Sequence, residues 1–403
     1  MVNGNHAFVF VVCGSKAYID TLNVAIQCLK GRTRHRIVVV TDSRRNEGPI
    51  ATESVIDMAT PDHLNHHQAS VYLKTSVHRY LDLDVGRYCY LDSDVLAITE
   101  KADDIFGAND SLIGFCADNM TLDLFSPYAV NCGCLEQART DEQKLVTAQQ
   151  TYAERLAEWN AFIKENQGDA LIESIAGSRK KPFSNLFSLS RFSIEKALPF
   201  CKAAHFKGYR YIKKEQAWFD SSGKKVLYPI ESYYDAVSRE TGLRFDQAGN
   251  FWCDDRLQDV CIPKCTHLHQ QIHREYGIRI EPDTWQHWNG GVFVFDQRSV
   301  DFLEFWHRET LRIFSEKDWK TRDQGTLALT AWKFQLERQP TLDKRFNYIL
   351  DHHKPGLGFE VDKGFTRDDG IHWERPDMIH VYHRFGDPEW DLWQFIESNY
   401  LNL

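Results

Sequence analysis

Two carboxylates, Asp92 and Asp94, stand one residue apart directly after the apolar run Tyr88–Leu91. Side chains two residues apart on a strand point to the same side, so both carboxylates can bind one hard cation such as Mn²⁺ or Mg²⁺. A structural alternative exists, because short acidic side chains also cap turns and helix starts. The apolar residues 95–98 that follow favour a position at the edge of a buried sheet, where α/β proteins bind ligands.

The segments before this pair alternate between strand and helix. Residues 7–12 and 36–40 are apolar runs typical of buried strands, and residues 19–29 and 69–81 carry apolar side chains at helical spacing. Strand, helix, strand predicts a parallel sheet with right-handed crossovers. We therefore interpret residues 1–108 as a Rossmann-like nucleotide-binding half that lacks the usual glycine fingerprint.

The alternation stops after this half and returns in the last part of the chain. Residues 109–283 contain a polar helix at 140–166 and a hairpin turn at 221–224, and we interpret them as an insertion. Residues 284–403 carry the remaining predicted elements: a strand at 292–295, helices at 300–314 and 323–336, short strands at 346–350 and 378–382, and a closing helix at 390–401. The sequence thus predicts an α/β fold with a mixed, mainly parallel sheet, flanked by helices and interrupted by one large insertion.

Composition excludes several classes of protein. The 403 residues are 42% hydrophobic and 26% charged, which is ordinary for a globular chain. A net charge of −9 argues against a general nucleic-acid binder. No apolar run reaches the roughly 18 residues of a membrane span, and no segment resembles a signal peptide. Ten cysteines are too sparse for a disulfide scaffold, so we expect a cytoplasmic protein with reduced thiols.

Four motifs follow one another along the two halves: Asp92-Ser93-Asp94, Asn289-Gly290-Gly291, Asp323-Gln324, and a late segment with His380, His383, Gly386 and Trp390. Each is weak alone, but their order and spacing together resemble family 8 of the glycosyltransferases. This family includes glycogenin and the bacterial lipopolysaccharide galactosyl- and glucosyltransferases, and it has the GT-A fold. The resemblance covers residues 6–109 and 284–403 and leaves the insertion out.

The resemblance implies a nucleotide-sugar donor, with a UDP-hexose the first expectation, and transfer with retention of anomeric configuration. In such enzymes the Asp-x-Asp pair and a late histidine bind Mn²⁺ (or Mg²⁺) against the donor diphosphate. The equivalent residues here are Asp92, Asp94 and either His383 or His380. The family places its histidine three residues before a glycine, which favours His383 ahead of Gly386, whereas the apolar lead-in favours His380. A cation there would offset negative charge on the leaving diphosphate.

The resemblance also implies contacts to the nucleotide. Cys13, Gly14 and Tyr18 match the loop after the first strand, with Tyr18 placed to stack on uracil, and Ser93 lies between the two carboxylates. Lys74 matches a basic residue that contacts phosphate. The structural alternatives are that Tyr18 packs at a helix start and that Lys74 is a solvated helix residue.

The remaining matched positions face the donor sugar in the family. Asn289 would contact the sugar or acceptor, while Gly290 and Gly291 would leave room for them. Asp323 and Gln324 are the catalytic candidates, and a carboxylate is the better nucleophile of the two. The alternative for Asp323 is a helix N-cap, which needs no catalytic role.

A second enzyme class fits the first motif. Asp92-Ser93-Asp94-Val95 also matches phosphatases of the haloacid dehalogenase type, in which Asp368 and Asp369 could form a second carboxylate pair. In those enzymes the nucleophilic strand comes first in the domain, whereas here α/β structure precedes it. The late histidine and the paired glycines would also be unexplained.

A third interpretation is a zinc-binding scaffold protein. Cysteines and histidines crowd one part of the sequence, although their spacing matches no fixed zinc-finger pattern: Cys253, Cys261, Cys265, His267, His269 and His273.

The insertion offers a hypothesis about the acceptor. Residues 196–225 interleave lysines and arginines with aromatic side chains, which suits sugar stacking and a phosphorylated or membrane-surface acceptor. The acceptor class stays open between carbohydrate, lipid-linked and protein acceptors, and a solvated hairpin face is the structural alternative.

Overall fold

The computed structural model describes residues 6–108, 110–180, 183–228, 237–246, 251–253, 264–350, 357–367 and 370–401. The chain forms two compact units: unit 1 comprises residues 1–134 and 264–403, and unit 2 comprises residues 135–263. Within the described ranges no helix combines the length and the apolar character needed to cross a membrane.

The strands are numbered in chain order. They are β1 (Ala7–Val11), β2 (Arg36–Thr41), β3 (Val55–Asp57), β4 (Tyr88–Leu91), β5 (Val95–Ala97), β6 (Gly114–Thr121), β7 (Ala203–Phe206), β8 (Tyr209–Ile212), β9 (Ala217–Phe219), β10 (Lys225–Leu227), β11 (Arg244–Asp246), β12 (Phe251–Cys253), β13 (Gln286–Phe295), β14 (Tyr348–Ile349), β15 (Gly358–Glu360), β16 (Gly364–Thr366) and β17 (Met378–His380).

The helices are numbered in the same way. They are α1 (Lys16–Lys30), α2 (His66–Thr75), α3 (Leu122–Ala129), α4 (Cys134–Glu165), α5 (Gly168–Lys180), α6 (Leu186–Ala197), α7 (His267–Tyr276), α8 (Val300–Ile313), α9 (Asp323–Lys333) and α10 (Asp391–Ile396).

A six-stranded sheet forms the centre of unit 1, in the order β3-β2-β1-β4-β13-β6. The pairs β1/β2, β2/β3 and β1/β4 are parallel, while β13 runs antiparallel to both β4 and β6. Alternate residues of β1 enter opposite cores: Val9 packs in the cluster with α2, α8 and α9, and Phe10 packs in the cluster with α1 and β5. Helices therefore cover both faces of the sheet, as the near-continuous apolar strands require.

Strand β13 carries a bulge beside the end of β4. Its residue Asn289 pairs with Cys116 of β6, whereas Phe293 pairs with the adjacent Phe115. The intervening residues therefore leave the ladder with β6, while Val292 still pairs with Leu91 of β4. Bulges re-aim the chain at the positions where pairing is interrupted.

A smaller sheet of unit 1 has the order β14-β17-β5. Strand β17 runs parallel to β14 and antiparallel to β5. Because β5 follows β4 after three residues, this sheet brings a late segment of the chain to the end of β4.

Unit 2 contains α5, α6 and a four-stranded sheet in the order β10-β9-β8-β7. Strands β9 and β10 pair antiparallel, which confirms the hairpin predicted around residues 221–224. Apolar side chains of α4, α5 and the hairpin, including Ile163, Leu171 and Trp218, form the core of this unit.

The fold class agrees with the prediction: the chain is a mixed α/β protein with a mainly parallel central sheet flanked by helices. The helix predicted at 69–81 is wrong in its second half, because α2 ends at Thr75 and a 3₁₀ turn, Val77–Tyr80, follows. The segment 109–283 that we interpreted as an insertion includes β6, α3 and α7, which lie in unit 1.

Replacing Phe302 with alanine is expected to lower the free energy of unfolding by about 3–5 kcal/mol. Phe302 of α8 is fully buried, with its ring 5.9 Å from that of Phe115 and 5.4 Å from that of Phe334. Urea unfolding followed by tryptophan fluorescence measures the change. The control is Phe200→Ala, which removes a ring that is 74% exposed and should alter stability by less than about 0.5 kcal/mol. Equal effects of the two variants would contradict the packing.

Candidate functional site

The two carboxylates of the first motif lie between β4 and β5. The amide of Asp92 donates to the carbonyl of Gly291 at 2.8 Å, and the amide of Val95 donates to the carbonyl of Asp92 at 3.1 Å. Asp92 is thus fixed to the bulged strand β13, and Asp94 directly precedes β5. The turn is held by backbone hydrogen bonds, so the carboxylates are not needed to cap it.

The register of β17 against β5 brings His380 to this turn. His380 pairs with Val95, and the amide of Val381 donates to the carbonyl of Asp94 at 3.1 Å. The Nε2 atom of His380 consequently lies 3.1 Å from Oδ1 of Asp94. One ligand atom each from Asp92, Asp94 and His380 lies within 4.8 Å of the others.

Asn347, next to β14, orients the imidazole of His380. Its Oδ1 lies 2.9 Å from Nδ1 of His380, and both side chains are buried. Since the amide oxygen can only accept, we assign the proton to Nδ1, which leaves the lone pair of Nε2 on the side of Asp94. A hydrogen bond to the second ring nitrogen is the usual support of a metal-binding histidine.

Lys74 supplies the positive charge of the site. Its Nζ lies 3.2 Å from Oδ1 of Asp92 and 2.9 Å from Oδ2 of Asp323, with 11% of the Lys74 side chain exposed. Burial disfavours the ammonium, but the carboxylates of Asp323 and Asp92 outweigh it and hold the pKa of Lys74 above its usual value. Lys74 is thus a buried ion-pair partner, not a solvated helix residue.

The pKa values of the two acidic partners of Lys74 shift in opposite directions. Burial and the neighbouring carboxylate of Asp94 raise the pKa of Asp92, although Lys74 opposes them. Burial also acts on Asp323, but the ammonium of Lys74 prevails and lowers the pKa of that carboxyl. Asp323 is the first residue of α9, whose N-cap position is taken by Arg322, so its side chain serves the ion pair and not a cap.

The glycines of β13 make the close packing around Asp92 possible. A Cβ at Gly291 would lie 2.7 Å from Cε1 of His380 and 2.8 Å from Oδ2 of Asp92. A Cβ at Gly290 would lie at ordinary contact, 3.5 Å from both Nζ of Lys74 and Oδ2 of Asp323. Gly291 therefore makes room for the protein's own side chains, a reason different from the room for substrate that we expected.

Asn289 connects this strand to a carboxylate that sequence reasoning missed. Its Nδ2 donates to Oδ2 of Asp118 at 2.9 Å, and its Oδ1 accepts from the amide of Gly291 at 2.8 Å. Burial raises the pKa of Asp118. Asp118 lies on β6, in a segment assigned to the insertion, and only the pairing of β6 with β13 reveals its place.

The donor set fits a divalent cation. Two carboxylates and one oriented imidazole converge, and Oδ1 of Asp94 is buried without a hydrogen bond among the described residues. Around them lie two further carboxylates, that of Asp118, which accepts from Asn289, and that of Asp323, which pairs with the ammonium of Lys74. A divalent cation would offset this excess of negative charge.

His287 is a second residue that the sequence did not reveal. It is fully buried on β13, with its ring stacked on that of Phe125 at 4.3 Å, and neither ring nitrogen has a hydrogen bond among the described residues. Burial lowers the pKa of His287 to about 3, while Asp323 and Gln324 oppose this. The catalytic candidates Asp323 and Gln324 thus have a neutral imidazole as a neighbour.

Several predicted donor-binding residues lie outside the described contacts of this cluster. Cys13 is buried with its Sγ 3.7 Å from Oγ of Ser70, Gly14 adopts a φ of 110°, and Tyr18 on α1 is 63% exposed. His383 and Gly386 are exposed on the turn after β17, and His383 does not contribute to the group of ligand atoms formed by the described residues.

The predicted phosphatase pair, Asp368 and Asp369, lies outside the described residues. Ser93 is half-buried between the two carboxylates.

Comparison with known proteins gives low similarity throughout. No family model and no curated protein matches the sequence. Among solved structures, the WbbM bifunctional glycosyltransferase is 10% identical, with a TM-score of 0.39 over 94% of this chain and 46% of its own. Mouse xyloside xylosyltransferase 1 is 10% identical, with a TM-score of 0.37 over 93% of this chain and 97% of its own.

The galactosyltransferase LgtC, solved with donor and acceptor sugar analogues, is 11% identical, with a TM-score of 0.35 over 93% of this chain and 86% of its own. This chain spans about half the length of WbbM. TM-scores of this size do not establish a shared fold.

Replacing Gly291 with alanine is expected to destabilise the chain by about 1–3 kcal/mol, because the added methyl group must displace His380 or Asp92. The matched control is Gly290→Ala, which meets only ordinary contacts and should cost less than about 1 kcal/mol. Urea unfolding of both variants provides the measurement. A cost at Gly290 equal to that at Gly291 would contradict the described packing.

Stability is expected to fall in acid partly because of His287. Its pKa is about 3 in the folded chain against an ordinary value of 6.5, so as the pH falls the unfolded chain takes up the proton first. The contribution of neutral His287 to the free energy of unfolding is complete above pH 6.5. As the pH falls from 6.5 to 3, this contribution is lost, at about 1.4 kcal/mol per pH unit. His287→Leu should reduce the slope of unfolding free energy against pH by that amount, as measured by urea unfolding across this window. An unchanged slope would show that His287 does not titrate as described.

Proposed function

We propose that this chain is a metal-dependent glycosyltransferase that moves a hexosyl group from a nucleoside-diphosphate sugar, a UDP-sugar in the first instance, to an acceptor hydroxyl with retention of configuration. The observation that carries the proposal is the convergence of Asp92, Asp94 and His380 within 4.8 Å of one another, beside the Lys74–Asp323 ion pair. This arrangement can bind a cation and a diphosphate next to an ionised carboxylate.

Asp92, Asp94 and His380 would hold the cation, with Mn²⁺ or Mg²⁺ as the candidates. When bound, such a cation offsets the charge that develops on a leaving diphosphate. Asn347 accepts a hydrogen bond from Nδ1 of His380 and so directs Nε2, the ligand atom, toward Asp94. The buried Tyr90 hydroxyl, which donates to Oδ1 of Asp92 at 2.6 Å, orients that carboxylate.

Lys74 and Asp323 would act on the donor sugar side. In the transfer, the bond between the anomeric carbon and the diphosphate oxygen breaks, and its electron pair leaves with the diphosphate. A new bond to the acceptor oxygen forms, and the proton of the acceptor hydroxyl passes to an oxygen of the departing diphosphate. Asp323, kept ionised by Lys74, can stabilise positive charge at the anomeric carbon or form the covalent intermediate of a retaining reaction.

Gln324, next to Asp323 on α9, is the candidate for holding the sugar. Its half-buried side chain has an Oε1 without a hydrogen bond among the described residues. The imidazole of His287 is a neighbour of this side chain, and the amide oxygen can accept a hydrogen bond from a sugar hydroxyl. The other predicted donor contacts, Cys13, Gly14, Tyr18 and Gly386, remain part of the proposal through the family resemblance alone.

Unit 2 is proposed to select the acceptor. It contains a cleft of about 390 Å³ whose lining includes Arg191, Lys207 and Arg210, the imidazole of His205, the carboxylate of Asp220 and the exposed ring of Phe187. Such a lining suits a sugar bearing phosphate or another anionic group.

A phosphatase of the haloacid dehalogenase type is the alternative function. It would use Asp92 as a nucleophile and give no role to His380, Asn347 or the packing of Gly291. The oriented imidazole beside Asp94 favours the glycosyltransferase.

Donor hydrolysis by the full chain tests the proposal. With Mn²⁺ present, UDP-hexoses should be hydrolysed faster than GDP- or dTDP-hexoses, and a chelator should abolish the reaction. His380→Ala should raise the Mn²⁺ concentration for half-maximal rate by about 10–100-fold or more. The matched variant His383→Ala changes an exposed histidine on the next turn and should have the smaller effect.

Two outcomes would overturn the proposal. One is hydrolysis of nucleotide sugars that persists without any divalent cation. The other is rapid turnover of p-nitrophenyl phosphate that is lost in Asp92→Asn, since this would establish the phosphatase instead.

A further inference from the structure

A second group of side chains that could bind a metal lies in unit 1, and it shares no residue with the carboxylate site. It consists of Cys132, Cys134, Cys265 and His267, whose ligand atoms all lie within 4.8 Å of one another. The three thiols are half-buried and not in disulfides, and His267 is exposed.

The distances within this group fit a tetrahedral zinc site. The Sγ atoms of Cys132 and Cys265 are 3.9 Å apart, and Sγ of Cys134 lies 3.6 Å from Nδ1 of His267. Tetrahedral Zn²⁺ with bonds of about 2.3 Å to sulfur and 2.0 Å to nitrogen separates two sulfurs by about 3.8 Å and sulfur from nitrogen by about 3.5 Å. These two separations match the spacing that the metal requires, and the other ligand atoms of the group lie within 4.8 Å of one another.

The backbone presents the ligands in two pairs, each with one residue between its members. Gly133, between Cys132 and Cys134, has a φ of 75°, a left-handed conformation that turns the second cysteine back toward the first. Just before this pair, the amide of Asn131 donates to the carbonyl of Asp318 at 2.9 Å. The first pair is thereby fixed to the body of unit 1.

The second pair is held to α3. The amide of Cys265 donates to the carbonyl of Asp123 at 3.0 Å, and the amide of Leu268 donates to Oγ of Ser126 at 2.8 Å. His267 is the first residue of α7. Both pairs are thus positioned by contacts other than those between the four ligands.

We propose that Cys132, Cys134, Cys265 and His267 bind one structural Zn²⁺. Four protein ligands fill a tetrahedral shell, so no position is open for substrate, which distinguishes the site from a catalytic zinc. The oxygen-rich set of Asp92, Asp94 and His380 suits a harder cation, so the two sites take different metals.

The proposed site differs from the zinc hypothesis that the sequence suggested. Of the residues named there, Cys265 and His267 belong to the cluster, whereas Cys261 lies outside the described residues. His269 is buried on α7 and His273 is exposed on it, and neither belongs to the group. Cys132 and Cys134 were missed because more than a hundred residues separate them from their partners.

The position of the ligands in the sequence suggests what the metal does. One pair directly precedes residues 135–263 and the other directly follows Lys264. A zinc ion bound by both pairs would join the two ends of the segment that forms unit 2. Closing so long a loop reduces the entropy of the unfolded chain, as a disulfide does.

Zinc content of the full chain, purified without chelators, tests the proposal. We expect about one zinc per chain by elemental analysis, and a Co²⁺-substituted protein with the visible absorption of tetrahedral thiolate coordination. Cys134→Ser should lose most of the zinc, whereas the control Cys201→Ser, which removes another half-buried free cysteine, should keep it.

Two further variants keep the test informative if Cys134→Ser fails to fold. His267→Cys supplies a four-cysteine shell and should retain zinc, whereas His267→Ala should bind it more weakly. Asp92→Asn with Asp94→Asn should also retain zinc, which separates this site from the carboxylate site. Wild-type protein without zinc that fails to bind it on addition, or zinc retained by Cys134→Ser and His267→Ala alike, would overturn the proposal.

Discussion

The ammonium of Lys74 lies between the carboxylates of Asp92 and Asp323, and the rest of the site depends on this contact. Carboxylates this close to one another repel when they are removed from water, and each would otherwise tend to take up a proton. Lys74 keeps Asp323 ionised. Burial and the carboxylate of Asp94 nevertheless raise the pKa of Asp92. One ammonium is enough to keep the carboxylates together but leaves a net negative charge, which is the condition for binding a cation.

The geometry of the same site depends on strand pairing between distant parts of the chain. Strand β17 pairs with β5 directly after the carboxylates, and β14 beside it carries Asn347 into contact with His380. The bulge of β13 then places Gly291 where any side chain would collide with Asp92 and His380. The site is therefore a property of the sheet architecture and not of one loop.

Much of the framework could be predicted from the sequence, because strands buried on both faces are nearly continuous apolar runs. The prediction was accurate for β1, β2 and β4, and for α1 and α8. It was less accurate where the pattern is local and mixed: the 3₁₀ turn after α2 continues the apolar spacing of a helix, so periodicity did not show the break at Thr75. Asp118 escaped notice because it is a single residue with no motif around it, and His287 because it precedes the motif Asn289-Gly290-Gly291 on β13 without belonging to it.

The sequence by itself determined the chemical groups: two carboxylates after an apolar strand, paired glycines, a late pair of histidines, and cysteines and histidines near residue 265. It could not determine which of these meet, because spacing along the chain does not fix contacts between residues far apart in sequence. In the tertiary structure His380 contacts Asp94, because the register of β17 on β5 brings the two side chains together. The tertiary structure also brings Cys132 and Cys134 to Cys265 and His267, because the chain returns to α3 after residues 135–263.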